Sequence, residues 1–168
     1  MDKTLRGKQN KATGQMFENI ISGSCDWYER EMLAKIEKQE EALAPIRAMG
    51  AGRFLACYKE RSGVDYKGTL KGGRAVVFEA KHTDTEVMER KRVKDWQLKY
   101  LQAHHELGAV TFVLVSFGLE RFYRIPFPVW LDMKTHIGKM SFRENDVERF
   151  RIRAVAGRIL FLEGLQDG

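Results

Sequence analysis

The stretch Asp65–Lys81, DYKGTLKGGRAVVFEAK, passes from an acid through a glycine-rich turn into an apolar strand. The glycines of the turn tolerate positive φ, which allows a tight hairpin. Successive side chains of a strand face opposite sides, so Glu79 and Lys81 share one face. The hairpin would bring Asp65 to the same end of the sheet as Glu79. The stretch therefore predicts two acids and a lysine on one face.

Two carboxylates with nearby carbonyl groups form an oxygen site suited to Mg²⁺. Such an ion can polarise a phosphodiester and lower the pKa of bound water, while Lys81 can stabilise the developing charge or orient the water. The proximity of Lys81 is also expected to keep Glu79 ionised. Taken alone, an Asp and a Glu-x-Lys pattern is short, and a solvent-facing salt bridge is the commoner meaning.

The rest of the chain reads as α/β, with a mixed central β-sheet flanked by helices. A helix is predicted over about 13–33, with Glu18 beside its apolar stripe. A second, basic helix is predicted over about 86–107, with Gln97 on its inward, mostly apolar face. The apolar run Ala109–Phe117 is typical of a central strand, and a short strand is predicted over 54–58.

The composition fits one globular domain with a basic surface. The chain has 168 residues, 43% of them hydrophobic, and a formal net charge of +6. This charge favours a polyanionic partner. Residues 1–12 are predicted to be a flexible basic arm suited to phosphates, and residues 13–168 a single domain. The basic residues of the arm are Lys3, Arg6, Lys8 and Lys11.

The cysteines and the N-terminus give an expectation of compartment. Cys25 and Cys57 do not make a disulfide framework, and no apolar run reaches the ~20 residues of a membrane span. The N-terminus is too polar for a secretory signal. We therefore expect a cytoplasmic protein without a membrane partner.

Four motifs together resemble the RecU family of Holliday-junction resolvases, within the PD-(D/E)xK nuclease superfamily. Order and spacing agree from about residue 7 to the end, although Val64 stands where this family usually has Thr. The apolar strand TFVLVSF and the terminal GRILFLEGL agree as well. The motifs are GQMFENII with Glu18, VDYKG with Asp65, VFEAK with Glu79 and Lys81, and WQLKYL with Gln97.

The resemblance implies a restriction-endonuclease-like core and a homodimeric, Mg²⁺-dependent endonuclease, with Mn²⁺ as a substitute ion. Its substrate would be a four-way DNA junction, cut by paired nicks during recombination and repair. Asp65 and Glu79 would be metal ligands, supported by Glu18. Lys81 would act on the water or the scissile phosphate, and Gln97 would position the water or the DNA backbone.

The resemblance also implies a strand at Ala34–Lys38 and a short projecting stalk at about 38–54. In the family this stalk enters the centre of the junction. Basic residues in the stalk, in the glycine-rich turn and in the second helix are predicted to contact DNA along with the arm. They are Arg47, Arg53, Lys67, Lys71, Arg74, Lys91 and Arg92.

Two other functions stay open from the sequence. One is a less selective PD-(D/E)xK nuclease that acts on flaps or damaged duplex. The other is a basic DNA-binding accessory protein of recombination without catalysis, against which the intact acid, acid and lysine set argues. The small size would suit a virus-encoded member, and contact with a recombinase is a further open question.

Overall fold

The structure, a computed structural model, describes residues 3–40, 43–58 and 63–165. Its helices are α1 (Lys3–Arg30), α2 (Asp95–Glu106), α3 (Phe127–Leu131), α4 (Met133–Ile137) and α5 (Glu144–Val147), with 3₁₀ turns at Arg90–Arg92 and Glu148–Phe150. Its strands are β1 (Ala34–Lys38), β2 (Leu43–Gly50), β3 (Arg53–Tyr58), β4 (Tyr66–Leu70), β5 (Ala75–Thr83), β6 (Met88–Glu89), β7 (Val110–Phe117), β8 (Arg121–Pro126), β9 (Ser141–Phe142), β10 (Arg151–Ile152), β11 (Ala154–Val155) and β12 (Arg158–Ile159).

A six-stranded sheet in the order β1-β4-β5-β7-β8-β10 forms the centre of the molecule. β5 and β7 are parallel and joined through α2, whereas the other neighbours are antiparallel. β7 is buried along its whole length, as its unbroken apolar sequence predicts. The prediction of a mixed sheet flanked by helices is confirmed.

The glycine-rich stretch forms the β4–β5 hairpin. Tyr66 pairs with Phe78, and the two rings stack with centroids 4.9 Å apart. Gly72 and Gly73 have φ values of 93° in the turn. A Cβ atom at Gly68 would lie 2.1 Å from the backbone oxygen of Lys35 in β1, so this position needs glycine. The glycines thus permit both the turn and the close approach of β1.

One face of the sheet packs against α1. Phe17, Ile21 and Tyr28 of the predicted apolar stripe are buried there. The Tyr28 hydroxyl oxygen accepts a hydrogen bond of 3.0 Å from the Leu162 amide, which ties the C-terminal segment to this helix. None of the helices in the described part of the chain is long and apolar enough to cross a membrane.

The opposite face packs against α2, α3 and α4. Leu98 and Leu101 of α2, Trp130 of α3 and Phe142 of β9 form one apolar cluster with the inward residues of β5 and β7. Alternate side chains of β5 therefore belong to two apolar cores, one on each face of the sheet. Val77, Glu79 and Lys81 face α2, and the residues between them face α1.

The first helix begins earlier than the sequence predicts. α1 starts at Lys3 rather than near Thr13, so the segment predicted as a flexible arm is helical from Lys3. Its residues are mainly good helix formers, and extending an existing helix costs less than starting one. Residues 1–2 lie outside the described residues.

The second helix is shorter than the predicted span of 86–107. α2 begins at Asp95, after Lys94 in an extended conformation. The preceding residues form β6, which pairs with the distant β9, and the Arg90 amide donates to the Met140 carbonyl oxygen at 3.0 Å. Pairing with a remote segment thus overrides the helical composition of this region.

The predicted stalk corresponds to a two-stranded sheet of β2 and β3, separate from the central sheet. This hairpin covers 43–58, so it extends further than the predicted end near residue 54, because the predicted strand at 54–58 is its second arm. Ile46, Met49 and Leu55 are apolar side chains exposed on it. Residues 41–42 and 59–62, at its two ends, are outside the described residues. The strand implied at Ala34–Lys38 is confirmed as β1.

Candidate active site

Asp65 and Glu79 meet where β4 begins beside the middle of β5. The Asp65 Oδ2 atom accepts a hydrogen bond of 2.9 Å from the Ala80 amide. The Asp65 amide in turn lies 3.3 Å from the Glu79 Oε2 atom and donates to it. The backbone pairing of the hairpin therefore fixes both acids, as the Asp65–Lys81 stretch predicts.

Glu79 is fully buried and is held by two side chains as well. Both the Lys81 ammonium and the Gln97 amide donate to the Glu79 Oε1 atom. The Gln97 Oε1 atom accepts a 2.9 Å hydrogen bond from the Lys94 amide at the start of α2. Gln97 thus joins the N-terminus of α2 to the carboxylate, and its predicted inward position is confirmed by its burial.

Lys81 favours the ionised form of Glu79, as expected, but its charge does not offset the effect of burial on the pKa of this acid. Burial raises the pKa of Glu79 to about 7, the Lys81 charge lowers it, and the Asp65 charge raises it further. Removing a carboxylate from water outweighs one neighbouring cation here. Near neutral pH, a substantial fraction of Glu79 therefore carries a proton before any cation binds.

The third predicted acid, Glu18, does not join the other two. Its carboxylate forms an ion pair of 2.6 Å with Lys38 of β1, on the α1 side of the sheet. Within the described residues, no group of three or more histidine, cysteine, aspartate or glutamate side chains is close enough to hold a metal ion. The predicted contribution of Glu18 to the metal site therefore lacks structural support.

Asp65 and Glu79 nevertheless fit a magnesium ion. Mg²⁺ is usually held by one or two carboxylates, with water and substrate phosphates completing its octahedron. Two carboxylates on adjacent strands meet this requirement without Glu18. Their oxygen atoms are hard ligands, of the kind that suits Mg²⁺.

Comparison with known proteins agrees with this arrangement. The model of the recombination protein U (RecU) family matches residues 12–166, which is most of the chain. The chain belongs to the RecU family. All four motifs that carry the resemblance, including the two acids, Lys81 and Gln97, lie inside the matched region.

A curated RecU relative and a solved structure are also similar to this chain. The Holliday junction resolvase RecU of Streptococcus sanguinis (strain SK36) is 29% identical over 120 residues, which cover 67% of this chain and 60% of that protein. The chain thus spans less than two thirds of this RecU relative. The Holliday junction resolvase Hjc of Archaeoglobus fulgidus aligns with a TM-score of 0.44 and 13% identity, over 81% of this chain and 93% of that one.

The basic residues expected to bind DNA in this RecU chain occupy several surfaces. Lys11 is exposed on α1, while the side chains of Lys3, Arg6 and Lys8 lie outside the described part. Arg47 and Arg53 are exposed on the β2–β3 hairpin, and Lys71 is exposed in the β4–β5 turn. Arg74, Lys91 and Arg92 are exposed but have internal partners: the Gly108 carbonyl, Glu89 and the His82 carbonyl.

The face of the two acids continues onto an open part of the sheet. Lys67 pairs with Val77 across the hairpin, and Glu37 of β1 pairs with Lys67. Glu37 and Thr69, on this side, are exposed. The region of β4 and β1 beside α2 is therefore accessible next to Asp65.

His82 follows Lys81 but points to the other face of β5. Its ring lies near Phe17 of α1, and its Nδ1 atom is 3.2 Å from the Ser116 hydroxyl. Its Nε2 atom is 2.9 Å from Asp84, which accepts a 3.1 Å hydrogen bond from Thr13. His82 thus helps to attach α1 to the end of the strand that carries Glu79 and Lys81.

Sequence reasoning missed one residue near the site. Tyr100 is not among the predicted site residues, yet its hydroxyl oxygen lies 2.9 Å from the Lys67 ammonium. The signal was available: Tyr100 is one turn after Gln97, and Lys67 is two residues after Asp65 on the same face. Only the register of strand and helix shows that these two side chains meet.

Proposed function

We propose that this protein is a Mg²⁺-dependent endonuclease that resolves four-way DNA junctions by paired nicks. The single observation that carries the proposal is the cluster of Asp65, Glu79, Lys81 and Gln97 on one face of the β4–β5 hairpin. Membership of the RecU family and similarity to a protein described as a Holliday junction resolvase support the choice of substrate.

Asp65 and Glu79 would hold the ion, and Mn²⁺ would substitute for Mg²⁺. When bound, the ion would polarise the scissile phosphodiester and make a water molecule more acidic. Glu79 would hold the ion as a carboxylate, so binding would favour its ionised form. Gln97 keeps the Glu79 Oε1 atom in place, because its own amide is held at the start of α2.

Lys81 supplies positive charge beside the reacting phosphate. Its side chain is 18% exposed, so one end of it reaches the open face while its ammonium contacts Glu79. A phosphoryl group in displacement gains charge on its oxygen atoms, and a nearby ammonium stabilises that charge. Lys81 can also orient the attacking water through its N–H groups.

We also propose that two copies act together on one junction. A four-way junction has approximate twofold symmetry, and a twofold dimer would place one site on each of two strands. The β2–β3 hairpin, with exposed Arg47 and Arg53 beside Ile46 and Met49, would contact the branch point. Light scattering of the free protein tests the dimer, and deletion of 44–57 tests the hairpin.

A labelled synthetic four-way junction tests the main proposal. The wild-type protein should give symmetric paired nicks with Mg²⁺ and none in EDTA. Asp65→Asn should abolish nicking but keep junction binding, because it removes a ligand charge on the hairpin and leaves the basic surfaces intact. Cleavage by purified Asp65→Asn protein would contradict the assignment.

The same assay separates the other candidates. A less selective nuclease would cut forked and linear duplex as fast as the four-way junction at equal concentration. A DNA-binding accessory protein without catalysis would bind the junction in EDTA and give no scission with either Mg²⁺ or Mn²⁺.

A further inference from the structure

Lys67 lies on the open face beside the two acids. It is two residues after Asp65, roughly 6.6 Å further along β4 and on the same side of the sheet. Across the hairpin it pairs with Val77, which faces the same way as Glu79. Its side chain therefore starts beside the acids, on the side away from Lys81.

The Tyr100 side chain, on α2, contacts the Lys67 ammonium through both its hydroxyl group and its ring. The hydroxyl contact is 2.9 Å, and the ammonium also lies 5.4 Å from the centre of the tyrosine ring, within the range of a cation–π interaction. Tyr100 is three residues after Gln97 on α2, one turn along the same helix face. Two residues on one face of α2 thus contact side chains of adjacent strands: Gln97 contacts Glu79 of β5, and Tyr100 contacts Lys67 of β4.

The Tyr100 ring has little room to move. A Cβ atom at Gly63 would lie 2.2 Å from this ring, so the ring packs directly on the Gly63 backbone. On its own helix, the His104 ring lies 4.7 Å away at an angle of 43°. Burial and the Lys67 charge both lower the pKa of His104, which favours the neutral imidazole beside the ammonium. The tyrosine is therefore a fixed support for the lysine.

Lys67 differs from the lysines of β1 and β5, the two strands that flank β4. Lys81, Lys35 and Lys38 each form an ion pair with a carboxylate. The Lys67 ammonium is in none of the ion pairs between described residues, although its side chain is half-buried. An ammonium has three N–H donors, and the Tyr100 oxygen uses one of them. A half-buried cation without a carboxylate partner is suited to an anionic ligand.

We propose that Lys67 and Tyr100 form a phosphate-binding subsite for the DNA strand that is cut. The subsite binds a phosphodiester near the scissile one, with Lys67 as the binding group and Tyr100 as its positioning residue. This proposal rests on the proposed function, because it takes the adjacent Asp65 and Glu79 as the place of cleavage. It binds the backbone and does not read sequence.

The test compares Lys67→Ala, Lys67→Arg and Tyr100→Phe with a control, Lys134→Ala, which removes an exposed charge on α4. Junction binding is measured in EDTA at several salt concentrations, and cleavage is measured with Mg²⁺ as kcat and KM. Lys67→Ala should reduce the slope of log K against log salt by about 0.9 per bound subunit. It should also raise KM severalfold.

The conservative variants separate phosphate binding from a purely structural role, because a structural role would change stability rather than the salt slope or KM. Lys67→Arg should keep most of the salt slope. Tyr100→Phe retains the ring and loses the hydroxyl, so KM should rise while the thermal unfolding temperature changes little. Gly63→Ala should behave like Lys67→Ala, because the added methyl group displaces the ring. Lys134→Ala should match the wild type.

An unchanged salt slope and KM in folded Lys67→Ala protein would overturn the subsite. The same conclusion would follow if Lys134→Ala lost as much affinity as Lys67→Ala. Failure of the proposed function would give another result: wild-type protein would not nick the junction with Mg²⁺, independently of the salt dependence of binding. The binding measurement in EDTA still decides about Lys67 in that case.

Discussion

Replacing Glu79 by glutamine should change how the stability of the metal-free protein depends on pH. In the folded protein, burial raises the pKa of this acid from 4.5 to about 7. Between these two values the unfolded chain loses the proton while the folded protein keeps it. The wild-type free energy of unfolding therefore contains a contribution that is present at low pH and is lost as pH rises towards 7. Glu79→Gln does not titrate, so it lacks this loss.

The size of the effect follows from the pKa of Glu79. A displacement from 4.5 to about 7 corresponds to an upper limit of about 3 kcal/mol, at ~1.4 kcal/mol per pH unit. Some of it is already lost at pH 5, where the unfolded acid is partly ionised. From pH 5 to pH 8, the free energy of unfolding of wild type relative to Glu79→Gln should fall by about 2 kcal/mol. The substitution also changes the hydrogen bonds to Lys81 and Gln97. That change lowers the free energy of unfolding by the same amount at every pH, so it does not affect the difference in pH dependence.

Urea unfolding in EDTA, followed by circular dichroism at pH 5, 6, 7 and 8, measures this difference. Glu31→Gln is the matched control, because Glu31 is exposed just after α1 and should follow the wild-type pH dependence. Adding Mg²⁺ at pH 7.5 should stabilise the wild type and leave Glu79→Gln unchanged, since a ligand stabilises only the folded state that binds it.

A constant difference between wild type and Glu79→Gln across this pH range would refute the reasoning. It would mean that Lys81 and Gln97 hold Glu79 ionised in the folded protein despite its burial. Equal stabilisation of both proteins by Mg²⁺ would place the ion elsewhere.

Two further changes test the packing that supports the site. Gly68→Ala should lower the free energy of unfolding by about 2 kcal/mol or more in urea titrations, because the new methyl group overlaps the Lys35 carbonyl oxygen and pushes β1 from β4. Tyr28→Phe should lower it by about 1–3 kcal/mol, because the buried Leu162 amide loses its acceptor. Glu31→Gln serves as the reference for both changes, because Glu31 is exposed just after α1.

Local sequence patterns were sufficient to predict the β4–β5 hairpin and the positions of its acids. Alternation of side chains and the glycine-rich turn predicted that Asp65, Glu79 and Lys81 would share a face, and the structure places them so. Gln97 was predictable as well, because an amide on an apolar helix stripe points to the interior. These features depend on residues close in sequence and on periodicities of two and 3.6.

Other features depend on contacts that sequence patterns do not contain. α2 starts at Asp95 because the residues before it pair with β9, about fifty positions later. Glu18 pairs with Lys38 of β1, twenty residues later, and the helical pattern around Glu18 does not reveal this contact. The protonation of Glu79 depends on its burial beneath α2, which the count of nearby charges does not reveal. Tyr100 was missed for the same reason.

The alternation of β5 has a consequence for how this gene can tolerate change in length. Lys81 contacts Glu79 on the α2 side of the strand and His82 contacts Asp84 on the α1 side, so neighbouring residues belong to opposite faces. Insertion of one codon between the turn and Glu79 would exchange the two sets, turning the acid towards α1 and Phe78 towards α2. Insertion of two would keep each side chain on its face but would move Glu79 roughly 6.6 Å along the strand from Asp65, so the pair of acids would be separated even then.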